Sequence, residues 1–476
     1  MKDLLRADIC IIGAGSGGLS VAAGAAQLGR KVILVERHLM GGDCLNFGCV
    51  PSKALIAAAA HADAARRASA FGVNTGEPVI DFPAVMKHVR EVIAAIEPND
   101  SVERFERLGV RVIKAEGRFT APNELQAGNH RIRASHFVIA TGSSALRPDI
   151  PGLGDTPHFT NETIFANEAL PGHLLVIGGG PIGLELAQAH RRLGARVTVL
   201  EARNILPKDD PEAVDVVRKR LIAEGVDLRE NTAVSAVAPT PAGVAVTVTT
   251  GNQTRTIEGT HLLLAAGRAP NVQGLNLEAA GVRYTPRGIE VNAELRTTNR
   301  RIYAIGDVIG GLQFTHVAGY HAGLVIRRVL FKAPVSAGAA AIPWCTYTAP
   351  ELAHVGLTEA QARKAGHKVG ITRWPLHEND RAQATRDTEG FAKIVVMKGR
   401  PVGATIVGAH AGELIMPWVM AIGQGMKLST MASQVVAYPT LSEVSKRAAS
   451  AWFTPTLFSR GTRIIVNLLS LLNPVR

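Results

Sequence analysis

Hydrophobic positions along this chain come in short unbroken runs rather than long alternating ones. The run Ala7-Asp-Ile-Cys-Ile-Ile12 leads into Gly13-Ala-Gly15-Ser-Gly17-Gly18, an alanine-rich stretch to about Gly29, and a second run, Lys31-Val-Ile-Leu-Val-Glu36. Continuous apolar runs of this length, bounded by glycine, predict strands buried on both faces of a parallel sheet, with a helix between them. The order recurs at Leu174-Leu-Val-Ile-Gly178-Gly-Gly180-Pro-Ile-Gly183, a helix predicted through Arg192, and Ala195-Arg-Val-Thr-Val-Leu-Glu201. In both copies an acid stands 18 residues after the last glycine, Glu36 after Gly18 and Glu201 after Gly183. Short apolar strands closing on glycine turns are predicted at 137–142, 262–268 and 301–307. From about Ile342 the pattern changes. Prolines, strands predicted around 391–397 and 402–408, and helices predicted around 412–424 and 441–451 mark a separate α+β domain.

Composition narrows the class. The chain has 476 residues, 46% hydrophobic, with 48 glycines, which suits two to four turn-rich α/β domains. Its four cysteines, Cys10, Cys44, Cys49 and Cys345, are too few for a disulfide-stapled secreted scaffold. The apolar run at 9–12 passes straight into a glycine turn, unlike a signal peptide, and no stretch of about 18 apolar residues suggests a membrane span. A cytoplasmic protein is therefore expected. The net charge of +12 comes without a nucleic-acid motif, and attraction for anionic cofactors or plain solubility accounts for it.

The chemistry-bearing segments follow from these patterns. A strand, a glycine turn, a helix, a strand and an acid, in that order, make a dinucleotide site. The glycines admit a pyrophosphate to the helix N-terminus, and Glu36 is placed for ribose hydroxyls. An isolated glycine motif would be no more than a tight turn, but here the whole unit is present twice, implying two different dinucleotides. Glu201 at the second strand's end points to NADH, while Arg203 leaves room for the 2′-phosphate of NADPH. In Gly41-Gly42-Asp43-Cys44-Leu45-Asn46-Phe47-Gly48-Cys49-Val50-Pro51-Ser52-Lys53, two cysteines stand in a glycine-rich turn before a helix predicted over 54–65. A helix start stabilises a thiolate at Cys49, so the pair reads as a redox dithiol. A zinc site would need two more ligands that no nearby Cys or His pair supplies. Cys10 reads as a small core residue and Cys345 as part of a buried strand.

With these motifs in place, the chain resembles the class I pyridine nucleotide-disulfide oxidoreductases, in the branch of dihydrolipoamide dehydrogenase and mercuric reductase. Its markers are the glycines at 13–18, the cysteine motif at 41–53, Ala-Thr-Gly at 140–142, the glycines at 178–183, Ala-Gly-Arg-Ala-Pro-Asn at 266–271 and Gly-Asp at 306–307. The resemblance implies an α/β fold with two Rossmann-like domains and a C-terminal α+β dimerisation domain. FAD binding would fall to 1–150 with 271–340, NAD(P) binding to 151–270, and the homodimer interface to 341–476. It implies that FAD is held by Gly13, Gly15, Gly18, Glu36, Gly42, Lys53, Gly117, Thr141, Gly142, Asp307 and Thr315. NAD(P) would be held by Gly178, Gly180, Gly183, Glu201, Val234 and Gly267. By the same resemblance, Cys49 is the thiolate beside the flavin, Cys44 the outer thiol that meets the acceptor, and Lys53 with Glu185 an ion pair near the flavin.

The sequence departs from the family where the acceptor is handled. Disulfide-reducing members carry His-Pro-Thr and then Glu, with the His as base. Here the segment is Ala437-Tyr438-Pro439-Thr440, followed by Glu443. A phenol titrates near 10 against about 6.5 for imidazole, so roughly one part in a thousand is ionised at neutral pH. Losing a general base costs about 10²–10⁴ in rate. Tyr438 is left as a hydrogen-bond donor or an interface residue. Mercuric reductases tolerate this Tyr but carry a C-terminal cysteine pair, which the segment ending Leu-Leu-Asn-Pro-Val-Arg476 lacks; Pro181 stands where several relatives place a gating Tyr. The expected acceptors are a small-molecule or carrier-bound disulfide, a metal ion or a quinone. In the tail, Ile464, Ile465, Leu468, Leu469 and Leu472 share a helical face. That face is expected to pack on the dimer rather than on a membrane surface or a docking partner.

Overall fold

The computed structural model describes residues 4–339 and 341–472, so the last four residues of the tail lie outside the described residues. The chain divides into two compact units, one built from residues up to 205 together with 224–339, the other from 206–223 together with 341 onward.

In the first unit the strand Leu4–Ile12 lies between Val32–Glu36 and His130–Ile139, parallel to both, with Val110–Lys114 outside Val32–Glu36. The long strand His130–Ile139 serves two neighbours. Its first half pairs antiparallel with Glu124–Ala127, and its second half takes Ile302–Ala304 in parallel register, Ile302 opposite Phe137. The apolar runs are unbroken because both faces of this sheet are covered. Ile9 and Ile11 enter the core shared with helix Ser16–Gln27, while Cys10 and Ile12 enter the opposite core with Phe119 and Phe137. Cys10 is fully buried, and burial pushes its thiol far up. A second sheet repeats the plan, with Asp227–Arg229, Arg196–Leu200, His173–Ile177 and His261–Leu264 all parallel and helix Pro181–Arg192 following its glycine turn. Each copy also carries an antiparallel meander, Gly117–Ala121 with its two successors in the first and Thr232–Thr240, Gly243–Thr250 and Gln253–Gly259 in the second.

The second unit is a five-stranded antiparallel sheet in the order Pro343–Thr346, Glu351–Gly356, Arg400–Gly408, Phe391–Met397, Gly370–Pro375. Helices Met416–Gly423 and Glu443–Ala451 cover it, with the fully buried Trp418 donating to Ser445 Oγ at 3.0 Å. Helix Pro211–Ala223 belongs here as well. Lys393, nearly buried on the sheet, meets Asp210 at 2.9 Å, Glu359 at 3.0 Å and Glu212 at 3.2 Å. A lysine taken out of water is retained as a charge only when so paired, and the hydrogen bonds that Lys393 donates to these carboxylates offset the cost of burial. Cys345 lies half-buried in Pro343–Thr346. Among the described residues no helix is long and apolar enough to cross a membrane.

Candidate functional site

The cysteine segment is shaped by its glycines. Gly41 and Gly42 take φ of +84° and +59°, a left-handed backbone that side chains disfavour, and they start the short helix Gly42–Asn46. Asn46 Nδ2 donates to Met40 O at 2.9 Å and Gly42 O at 2.8 Å, closing the turn. The next helix spans Cys49–Arg67, so it begins at Cys49 itself and not at 54 as expected. Pro51 explains the difference. It looks like a breaker, yet in the first turn of a helix its missing N–H costs nothing.

Cys49 therefore sits at the first position of a helix with no side-chain cap, where unpaired amides favour negative charge. Its Sγ is 3.3 Å from Oγ1 of Thr315, which opens the helix Thr315–Phe331. The two thiols split in character. The hydrogen bond from Cys44, aided by Thr315 and the Lys53 charge and opposed by burial, pulls Cys49 down to about 6. The same hydrogen bond and burial push Cys44 far up. Beyond Cys49, Lys53 Nζ reaches the buried Glu185 at 2.8 Å, joining the cysteine helix to Pro181–Arg192 of the second glycine motif. Cys44 opens on a cavity of about 360 Å³ lined by Leu19, Ser20, Ala23, Val50, Arg104 and Phe105.

The two glycine turns share one construction. A β-carbon on Gly13 would lie 2.4 Å from Ala140 O, and one on Gly178 would lie 2.3 Å from Ala265 O. At Gly18 it would meet Gly13 O at 1.9 Å, and at Gly183 it would meet Gly178 O at 2.1 Å. The outer glycines thus permit chain crossing and close helix–strand packing. The middle ones, Gly15 and Gly180, stand in extended backbone at the helix start, where no side chain caps the amides. That leaves each helix N-terminus open to a phosphate. The acids brace the turns: Glu36 accepts from Ala14 N and His38 N, both at 2.6 Å, and Glu201 from Gly179 N at 2.8 Å and Arg203 N at 2.9 Å.

Gly13, Glu36, Gly117, Thr141 and Asn271 line one cleft, so residues from five separate places in the sequence converge on a single space. Thr141 and Asn271 exchange side chain-to-backbone hydrogen bonds at 2.9 and 3.0 Å beside it. Gly142 and Gly267 follow the two return strands in positive φ, +68° and +124°. Val234 is half-buried in Thr232–Thr240, opposite Val248 and packed against that meander's core.

Sequence reasoning did not single out the polar network that crosses this region. Ser143 Oγ donates to Asp307 Oδ2 at 2.6 Å and receives a hydrogen bond from Arg268 Nε at 2.8 Å. Arg268 also stands 3.2 Å from Asp43, which accepts from Asn161 Nδ2 at 3.1 Å. Burial raises the Asp43 carboxyl despite Arg268. The available signals were a charge at Asp43 inside a glycine-rich cysteine turn and Arg268 directly after Gly267. In the second unit, Tyr438 is exposed and its hydroxyl donates to Asp380 Oδ2 at 2.8 Å, which pushes the phenol up. Glu443 opens its helix and lies 4.0 Å from Arg447. Among the described residues no three His, Cys, Asp or Glu are grouped to hold a metal ion.

Comparison with known proteins matches residues 7–322 to the pyridine nucleotide-disulphide oxidoreductase family and 342–449 to its dimerisation domain, which supports a homodimer. The chain is 35% identical over 454 residues to a mercuric reductase of Streptomyces lividans, covering 94% of this chain and 96% of that protein. It is also 35% identical over 459 residues to a dihydrolipoyl dehydrogenase of Geobacillus stearothermophilus, with 94% and 96% covered. Among solved structures, the Cu(II) complex of the HOCl-induced flavoprotein disulfide reductase RclA from Escherichia coli aligns with a TM-score of 0.84 at 29% identity, over 93% of this chain and 99% of that one. The chain belongs to the pyridine nucleotide-disulphide oxidoreductase family, as an FAD-dependent NAD(P)H disulfide oxidoreductase of the dihydrolipoyl dehydrogenase and mercuric reductase type.

Proposed function

We propose that this chain is an NADH-driven reductase whose acceptor takes electrons at Cys44 without help from a base, a metal ion or quinone in preference to a disulfide. In this reading 1–150 with 271–340 hold FAD, 151–270 hold the nicotinamide nucleotide, and 341–476 form the dimer contact. FAD, when bound, relays two electrons between the nicotinamide and the protein disulfide.

The protein's own part is to sort the two sulfurs. Two electrons and one proton break the Cys44–Cys49 S–S bond and leave Cys44 as thiol and Cys49 as thiolate. Re-forming the bond returns both electrons and the proton to the acceptor side. The downward pull on Cys49 and the upward push on Cys44 support this division. Lys53 and the start of Cys49–Arg67 supply positive potential for the thiolate, and Glu185 holds the Lys53 ammonium in place. Asp307, held by Ser143 with Arg268 behind it, would present its carboxylate to a hydroxyl of bound FAD.

Tyr438 is the observation that carries the choice of acceptor. Thiol–disulfide exchange needs a group that removes the outer thiol's proton and returns it to the leaving thiolate. A phenol that already donates to Asp380 is a poor base, and the interaction moves its pKa further from neutrality. Reduction of a metal ion or quinone needs no such leaving-group protonation.

Steady-state oxidation of NADH and NADPH against lipoamide, glutathione disulfide, Hg(II), a quinone and dioxygen tests this on wild type and Tyr438→His. Wild type is expected to turn over Hg(II) or quinone faster than either disulfide, and Tyr438→His to raise disulfide turnover about 10²-fold. Rapid wild-type disulfide reduction that Tyr438→His leaves unchanged would overturn the reading.

A further inference from the structure

The C-terminal helix Arg460–Ser470 lies beyond the matched dimerisation domain, which ends at 449. The body of the second unit holds the chain as far as Trp452 and Phe453, which pack against its core. After that point the apolar side chains leave the core. Leu457 and Phe458 are 58% and 64% exposed, and Ile464, Ile465, Leu468, Leu469 and Leu472 all expose more than half their surface.

The helix is nevertheless well formed. Ser459 Oγ caps its start by accepting from Thr462 N at 3.2 Å, and Thr462 Oγ1 donates back to Thr456 O at 2.8 Å. Ile464, Ile465, Leu468, Leu469 and Leu472 recur at the spacing of one helical face; Arg463, Asn467 and Ser470 fall on the opposite one with Val466 beside them, and Arg460 stands at the border between the two. From Val444 to Leu472 the chain has Lys446, Arg447, Arg460 and Arg463 and no carboxylate side chain. At 11 residues the helix is roughly 16 Å long, about half a bilayer's hydrocarbon thickness, so it can lie in an interface and cannot span one.

We propose that Arg460–Ser470 docks this protein on an anionic membrane surface, with the leucine and isoleucine face inserted among the acyl chains and Arg460 and Arg463 at the headgroups. Charge complementarity selects this occupant. A segment whose only charged side chains are cations is attracted to anionic lipid, whose surface potential favours each added Lys or Arg. Phe458 at the start of the segment adds an aromatic side chain suited to the interface.

The test uses the FAD-loaded, full-length protein and flotation with vesicles of phosphatidylcholine alone or with about one third phosphatidylglycerol, which spans a neutral to a strongly anionic surface. Full-length protein is expected to float with the anionic vesicles and about tenfold less with neutral ones, and to lose binding severalfold as salt shortens the range of surface charge. A chain truncated after Ser459 is expected to lose vesicle binding while keeping its FAD, its rate of NADH oxidation and its dimer mass by light scattering. Because truncation removes charge and apolar surface together, two point variants separate them. Arg460→Glu with Arg463→Glu should abolish the preference for anionic lipid, and Leu468→Asp should abolish binding to both vesicle types. The proposal is overturned if the full-length protein stays unbound, if the truncated chain floats equally well, or if neutral vesicles bind as strongly as anionic ones. It is also overturned if truncation dissociates the dimer without affecting lipid, which would make the helix a contact with a second copy.

Discussion

The two glycine turns are copies of one device and differ in what stands over them. Both place a first glycine under a return strand, a last glycine against the first one's carbonyl, and an acid on the amide after the first glycine. Over the first turn lies the cysteine segment. Gly41 N donates to Ala14 O at 2.9 Å, and a β-carbon on Gly42 would come within 2.7 Å of Gly15 Cα. Over the second turn, among the described residues and apart from its chain neighbours and its own helix's backbone, nothing lies within 4 Å of a β-carbon placed on Gly180. A covered turn suits a cofactor that stays, and an open one suits a nucleotide that enters and leaves with each cycle. The same local fold is thus covered in one copy by a single neighbouring segment and left open in the other, and the covering segment also carries the redox pair.

The largest effect that can break this comparison comes from the last glycine of each motif. Gly18→Ala is expected to yield protein without flavin absorbance and with stability lowered by about 3 kcal/mol, because the new methyl meets a backbone carbonyl that cannot step aside. Gly183→Ala, with the same clash in the open turn, should retain FAD and raise the KM for NADH at least about tenfold, the scale of one lost cluster of phosphate contacts. Flavin loss in both variants, measured by absorbance per chain, would show that the turns do not divide the cofactors.

The next effect probes the covering segment. The folded pKa of Cys49 is depressed to about 6, so its thiolate persists across neutral pH and is lost as pH falls through that value. Alkylation of Cys49 in NADH-reduced enzyme, followed by mass spectrometry, should be level above about pH 6 and fall tenfold per unit below it. A decline beginning near the ordinary thiol value of about 8.5 would mean that the helix start, Thr315 and Lys53 do not act as described. Arg268→Lys should cost about tenfold in turnover with flavin retained, since a point charge cannot hold Asp43 and Ser143 together as the guanidinium fork does. An unchanged rate would make that network purely structural. Smallest of all, Gly180→Ala should leave melting within about 0.5 kcal/mol of wild type, as at other surface positions, and raise the NADH KM severalfold by crowding the pyrophosphate. A large stability loss there would contradict the openness of the second turn.

Much of the frame was legible because its causes are local. The runs at 7–12 and 174–177 have the composition of strands covered on both faces, and the glycines at 13 and 178 occur where the backbone must turn under a neighbouring strand. Lys53 and Glu185, 132 positions apart, were paired only through the family resemblance, since nothing in their spacing brings them together. The helix predicted over 54–65 starts five residues earlier, at Cys49, because Pro51 in its first turn gives up an N–H that has no partner there. The network joining Asp43, Ser143, Arg268 and Asn161 was not legible because its partners lie up to 225 positions apart, in a short helix, two three-residue strands and a turn that carry no shared period. Helix Pro211–Ala223 groups with the C-terminal sheet, buries Ala213, Val214, Val217 and Leu221, and has Asp210 and Glu212 at its start meeting Lys393, a long-range pairing that linear spacing does not record.

By itself, then, the sequence determined the repeated strand–turn–helix units, the family and its two cofactors, and the presence of a dithiol, because these follow from steric rules acting over a few residues and from a motif of high specificity. Only the tertiary structure decided which groups lower Cys49 and raise Cys44, which turn is covered and which stays open, and what Tyr438 does with its proton. Those properties depend on charges and backbone atoms brought within hydrogen-bond reach from distant parts of the chain, and electrostatic energy at such distances changes steeply with displacements that no linear spacing records.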